Sequence, residues 1–262
     1  MSTPSFHGSP CWYELGTSDL PAARAFYADT LGWSVADSGM ESMAYDLATA
    51  PGGGLVAGLS SNLEQPGPPP PNWLVYFACD DVDALTAAMT ADGAHLVVPA
   101  SDIPGTGRIA ICADPTGAVF GLLQPAPMEA EPTSYAFDQN RPGHGHWHEL
   151  MSSDPDAALA FYSKHLGWAT GEALDMGEMG AYQLVQDKDR EIGAIMGLGD
   201  APASAWLPYF GTTGVDEAIA RIQAGGGAIH VGPMEVPGGA FIAVATDPQG
   251  AWFAVLGPKS AA

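Results

Sequence analysis

Basic residues are scarce in this chain: eight Lys and Arg stand against 30 Asp and Glu, giving a formal charge of −22 at neutral pH. So negative a surface opposes binding to nucleic-acid phosphates or anionic lipid and keeps the molecules apart in solution. The acids are scattered, so the charge excludes partners without naming one. Cysteine is also rare. Cys11, Cys79 and Cys112 are widely spaced and form no CxxC pair, which argues against a disulfide framework or a structural zinc site. No uninterrupted apolar run reaches the roughly 18 residues of a membrane span. Met1-Ser2-Thr3-Pro4-Ser5 lacks the basic and apolar regions of a signal peptide, so a cytoplasmic protein is expected.

What the chain does have is repetition. Ala25-Phe26-Tyr27, followed by Leu31-Gly32-Trp33, returns 135 residues later as Ala160-Phe161-Tyr162 and Leu166-Gly167-Trp168. Trp73-Leu74-Val75-Tyr76-Phe77 returns as Trp206-Leu207-Pro208-Tyr209-Phe210, and Asp114-Pro115-Thr116-Gly117-Ala118 as Asp247-Pro248-Gln249-Gly250-Ala251, both 133 residues on. A repeat near half of 262 residues means two copies of one domain, not a short-period solenoid. The cysteines have His146, Thr212 and Ala245 as counterparts, so no duplicated site depends on a thiol. An apolar content of 47% with 15% charged residues is that of a folded protein.

Each copy reads as two strand–helix–three-strand modules. Residues 11–18 and 146–153 predict strands that end at Asp19 and Asp154, helix caps followed by Pro21 and Pro155 in the first turn. Gly32 and Gly167 suit helix C-caps. Three short strands are expected at 33–38, 43–48 and 54–60, and at 168–173, 180–186 and 192–198. A second module starts at Trp73, with a helix opening at Asp81 and strands near 95–98, 107–113 and 118–123. The expected organisation is a first domain over 1–126, a linker over 127–142 and a second domain over 143–262. Pro66 to Pro71 reads as an extended spacer between modules.

Taken together, Asp19-Leu20-Pro21-Ala22-Ala23-Arg24-Ala25-Phe26-Tyr27, Leu31-Gly32-Trp33, Trp73 to Phe77 and Asp114 to Ala118 give a sequence that resembles the glyoxalase/bleomycin-resistance/extradiol-dioxygenase superfamily, also called vicinal oxygen chelate. Its two-domain glyoxalase-like or hydroxylase-like members are the nearest type. The resemblance implies an α+β fold of four βαβββ modules paired into two cup-shaped domains with a ligand inside. It also implies metal-ligand positions, which fall at Trp12, Leu74, Gly121 and about Ala57, and at Trp147, Leu207, Ala254 and about Met196. These side chains offer no oxygen or nitrogen donor set for a divalent ion, so no metal and no cofactor is expected.

Several residues still point to a site. His144, His146 and His148 share one strand face by period-two alternation, with Trp147 and Glu149 on the other. Collinear imidazoles on one strand rarely converge on one ion, so a packed strand is the commoner outcome. Glu14 and Glu149 each follow a Trp by two residues, and a carboxylate in an apolar cup could act as acid or base. Glu149 or His148 is the candidate acid/base. Trp12, Tyr45 and Tyr76, matched by Trp147, Tyr182 and Tyr209 and joined by Trp252, are candidates to line the cups with Glu14. Met40, Met43, Met176 and Met179 add adaptable apolar surface. Such a lining suits a small aromatic or hydrophobic molecule.

The expected function is therefore metal-independent binding of such a metabolite, as in natural-product sequestration or tailoring. The alternative is a superfamily enzyme: a metal-free lyase, isomerase or hydroxylase-like protein, or a metal-dependent glyoxalase or dioxygenase. No nucleic acid or membrane partner is expected, and the chain should act as a monomer with an internal pseudo-dimer or as a homodimer. His144, His146, His148 and Trp252 occur in the second half alone, which favours that half as the working one.

Overall fold

A computed structural model of the chain describes residues 6–40, 43–61, 69–127, 135–177 and 180–260. Among these residues, sixteen strands and four helices repeat the βαβββ order four times. The first half contains β1 (Pro10–Thr17), α1 (Leu20–Leu31), β2 (Ser34–Asp37), β3 (Tyr45–Thr49), β4 (Leu55–Ser61), β5 (Asn72–Ala78), α2 (Val82–Ala91), β6 (His95–Ile103), β7 (Gly107–Ala113) and β8 (Val119–Pro125). The second contains β9 (Gly145–Ser152), α3 (Pro155–Leu166), β10 (Ala169–Asp175), β11 (Ala181–Asp187), β12 (Arg190–Gly197), β13 (Ala205–Gly211), α4 (Val215–Ala224), β14 (Ala228–Glu235), β15 (Phe241–Thr246) and β16 (Trp252–Gly257). Two eight-stranded sheets result, ordered β2-β3-β4-β1-β5-β8-β7-β6 and β10-β11-β12-β9-β13-β16-β15-β14.

Local chemistry fixes the helix ends. Asp19 accepts a hydrogen bond from the Ala22 backbone N–H at 3.0 Å, and Asp154 does the same for Ala157 at 3.0 Å. Each satisfies one of the N–H groups a helix start leaves unpaired. Gly32 and Gly167 end these helices at φ 70° and 72°, left-handed backbone that a side chain would strain.

The described chain packs as two compact units, and each draws on both halves of the sequence. One comprises Met1–Cys11, Val75–Glu131 and His148–Trp206; the other comprises Trp12–Leu74, Pro132–Trp147 and Leu207–Ala262. The repeated motifs explain this exchange. In the second unit the Tyr27 hydroxyl donates to Asp247 at 3.0 Å and accepts from the Trp73 indole at 2.9 Å. Trp33 stacks on Tyr27 with centroids 5.8 Å apart and donates to the Gly143 carbonyl at 2.7 Å. In the first unit Tyr162 donates to Asp114 at 3.0 Å, accepts from Trp206 at 3.0 Å, and stacks on Trp168 at 5.2 Å. Phe-Tyr, Leu-Gly-Trp, the strand Trp and the turn Asp are thus one buried cluster, built twice. Burying aromatic rings against each other supplies much of the core, and the paired polar tips avoid a desolvation penalty.

The segment read as a linker is more than a spacer where it is described. Ala136 and Phe137 are buried, Phe137 bridges to Gly145, and Arg141 donates to the Gly52 and Gly53 carbonyls at 3.1 and 3.0 Å. Pro66, Gly67 and Pro68 of the Pro66 to Pro71 run lie outside the described residues.

Candidate functional site

Strand alternation sorts β1 into two faces. Tyr13 and Leu15 are fully buried, while Trp12 and Glu14 are half-buried on the opposite face. Tyr45, on β3, joins the second set. The Trp12 indole N–H donates to the Tyr45 hydroxyl at 3.3 Å, and that hydroxyl donates to Glu14 Oε2 at 3.4 Å. Both contacts lie at the long end of the hydrogen-bond range. Burial, then the charge of Glu14, pushes the Tyr45 phenol above its usual pKa, so it stays protonated and remains a donor. The aromatic ring reaches this place because Glu14 lies opposite Gly58 in the β1–β4 register, and a Cβ at Gly58 would coincide with the Tyr45 phenol.

In the second half Trp147 and Glu149 are half-buried on one face of β9, and Tyr182 is half-buried on β11. His148 points the other way. It is 1% exposed, and its Nδ1–H donates to the Ile192 carbonyl at 2.7 Å. Burial pulls its pKa down to about 4, so it is neutral near pH 7. The two candidate acid/base residues thus occupy opposite faces of one strand, Glu149 half-buried and His148 buried. His144 and His146 are also buried, each against a different backbone carbonyl. His144 Nδ1–H donates to Pro142 at 3.2 Å and His146 Nε2–H to Arg141 at 2.9 Å. Burial lowers both pKa values.

Tyr76 is buried on β5 directly opposite Gly121 of β8, and its ring covers that glycine so closely that a Cβ there would strike it. Tyr209 is buried opposite Ala254. The Tyr76 ring thus packs down on the sheet. Trp252 differs, being 51% exposed, and His230 stacks on it with centroids 4.2 Å apart and planes inclined by 28°. His230 Nε2 also lies 3.1 Å from Thr246 Oγ1. His230 had no signal of its own in the sequence. It reaches Trp252 because β14, β15 and β16 are successive neighbours in the sheet. Met40, Met43 and Met176 are exposed, and Met179 lies outside the described residues.

The positions that the family resemblance assigns to metal ligands do not fit a divalent ion. Trp12, Leu74, Trp147, Leu207 and Ala254 carry no donor suited to one, and Gly121 is covered by the Tyr76 ring. One assignment needs correction. Glu14 and Glu149 lie opposite Gly58 and Ala194, so Ala57 and Met196 are not equivalent; their true counterparts are Gly193 and Ser60. The correction adds no ligand set, since the Ser60 hydroxyl donates to the Leu15 carbonyl at 3.3 Å. Among the described residues no group of three or more His, Cys, Asp or Glu side chains is placed to hold a metal. The thiols are equally unreactive in character: burial pushes Cys79 up to about 12 and Cys112 up to about 11.

Paired βαβββ modules in two eight-stranded sheets define a two-domain protein of the vicinal-oxygen-chelate fold. The family profile of the glyoxalase/bleomycin resistance protein/dioxygenase superfamily matches residues 11–122 and 144–255, and the chain belongs to that superfamily. It is 34% identical to the putative glyoxylase CFP32 of Mycobacterium bovis, over 96% of this chain and 95% of that protein. It is 30% identical to the anthracycline biosynthesis protein DauV of Streptomyces sp. strain C5, over 95% of this chain and 93% of that protein. Among solved structures, the Mn(II)-bound glyoxalase from Novosphingobium aromaticivorans shares the fold with a TM-score of 0.65 at 19% identity, covering 97% of this chain and 83% of that one. The 2,3-dioxygenase LapB from Pseudomonas sp. KL28 does so with a TM-score of 0.65 at 14% identity, covering 97% and 93%. At those identities the likeness is one of fold.

Proposed function

We propose that this protein binds a small aromatic or hydrophobic metabolite without a metal. The observation that carries this reading is the half-buried Trp12–Tyr45–Glu14 chain, standing on a strand face where the superfamily resemblance places metal ligands. Aromatic rings with one carboxylate recognise a planar molecule by stacking and a polar anchor, not a bare cation. The exposed Trp252–His230 stack supports the same ligand chemistry in the second half. A relative named for anthracycline biosynthesis favours polycyclic aromatic natural products as the ligand class, with sequestration or tailoring as the role. Buried free thiols at Cys79 and Cys112 are in keeping with a reducing, cytoplasmic setting.

The reading is tested by thermal-shift screening of planar aromatic metabolites in the presence of a metal chelator. Stabilisation that rises with ligand concentration and is indifferent to the chelator is the expected result. Stabilisation or turnover that appears solely after adding Fe(II), Mn(II) or Zn(II) would overturn it.

A further inference from the structure

We propose that His230 and Trp252 form a stacking platform for a neutral fused-ring aromatic, built on a bulge of β14 that the first half fills with valines. This deepens the binding reading above and rests on it. The β14–β15 register explains how a histidine meets a tryptophan two strands away. Ile229 lies opposite Ala245 and Val231 opposite Val244, so His230 is an extra residue with no partner of its own on β15. Such a bulge bends the strand and re-aims the extra side chain. Here it carries the imidazole onto the Trp252 indole, with centroids 4.2 Å apart. It also places Nε2 3.1 Å from Oγ1 of Thr246, the residue opposite Trp252.

The first half has the same bulge without the rings. Leu96 lies opposite Cys112 and Val98 opposite Ile111, which leaves Val97 as the extra residue of β6. At the 133-residue offset, Val97, Ala113 and Val119 correspond to His230, Thr246 and Trp252. Ala113 lies opposite Val119 just as Thr246 lies opposite Trp252. Val97 and Val119 are exposed, and so are His230 and Trp252. The bulge therefore forms with three apolar side chains, and the fold does not require the ring pair.

What the pair supplies is recognition. Among the described residues no further ring packs on either member, so an exposed stack of two rings is open to a third. Val231 and Met234 are exposed on the same face and continue the surface along β14. From His230 to Met234 the strand runs on the order of 10 Å, a reach that a fused ring system spans and a single benzene ring does not. A formal charge of −22 opposes a second copy of the chain or a nucleic acid on this face, and it does not penalise a neutral ring system.

The test is titration of the full chain, in chelator, with 9-anthracenemethanol and with benzyl alcohol, which carry the same substituent on three rings and on one. Changing His230→Val and Trp252→Val together gives the second half the residues of the first. Affinity for 9-anthracenemethanol should fall about tenfold, with the urea midpoint unchanged. Met234→Ser, again the first-half residue, should weaken 9-anthracenemethanol about fivefold and leave benzyl alcohol within about twofold. Native affinity in the double variant overturns this inference and leaves the binding reading standing. So does a large drop in its urea midpoint, which would make the ring pair a packing element. Equal effects of Met234→Ser on the two probes, or binding of benzyl alcohol alone, overturn it as well. Self-association of the native chain that the double variant loses would assign the face to a second copy and overturn it. Failure of the native chain to bind either probe overturns both readings.

Discussion

The Tyr27 hydroxyl, in α1 of the first half, donates its hydrogen to Asp247 in the last turn of the second half, 3.0 Å away. Tyr162 and Asp114 make the reciprocal bond at 3.0 Å. Each Asp also caps its own turn, with Asp247 Oδ1 accepting from Gln249 and Ala251 at 2.9 Å. The duplicated motifs thus complete one another across the halves.

Removing one hydroxyl should expose that dependence. Tyr27→Phe leaves the Trp73 indole N–H and an Asp247 oxygen buried without this partner. The expected loss is about 1–3 kcal/mol in urea denaturation, with a similar loss for Tyr162→Phe. A change below about 0.5 kcal/mol would remove the hydroxyl from the core's energetics.

Separated halves should fare worse than either point variant. A fragment spanning residues 1–126 retains Tyr27 and Trp33 but lacks Phe210 and Phe253, which pack against them at 5.2 and 5.4 Å. It should bind a hydrophobic dye and lack a cooperative thermal transition, and co-expression with residues 143–262 should restore one. Independent cooperative folding of the fragment would contradict the exchanged packing.

Acidification should weaken the fold through its histidines. His148 has a folded pKa of about 4 against an ordinary 6.5, because burial disfavours its charged form. Between those values the unfolded chain binds more protons, so stability is full above pH 6.5 and falls as the pH drops toward 4. The complete shift corresponds to about 3 kcal/mol, and His144 and His146 act in the same direction. His148→Phe should flatten the pH dependence of the urea midpoint; an unchanged slope would show that this imidazole does not titrate with folding.

Trp252 should separate binding from stability. Its ring is half exposed and stacked by His230, so Trp252→Ala should shift stability by no more than about 0.5 kcal/mol. Calorimetric affinity for planar aromatics should fall by about two- to tenfold, since a stacking contact contributes roughly 0.5–1.5 kcal/mol. Unchanged affinity would confine recognition to other residues.

The four modules were legible because their signals are local. Asp19 and Asp154 cap helices, Gly32 and Gly167 end them, and alternation separated Trp12 and Glu14 from Tyr13 and Leu15. The exchange between halves was not legible, because Asp114 and Asp247 sit in the same turn motif and sequence cannot say which one a given Tyr meets. Alternation also set His148 and Glu149 on opposite faces, as the burial pattern of β9 has them. Gly58 and His230 were missed since their importance is relational. One is defined by the ring above it, the other by a Trp two strands away. The mismatch of Ala57 with Met196 arose from the differing length between modules, which strand register resolves.

Metal-independent recognition is tested most directly by titrating a planar aromatic ligand into protein stripped with chelator, then into the same protein resupplied with Mn(II) or Fe(II). Affinities that agree within about twofold are expected. Binding that vanishes on stripping and returns with the metal would contradict the assignment of this site to the aromatic residues and Glu14.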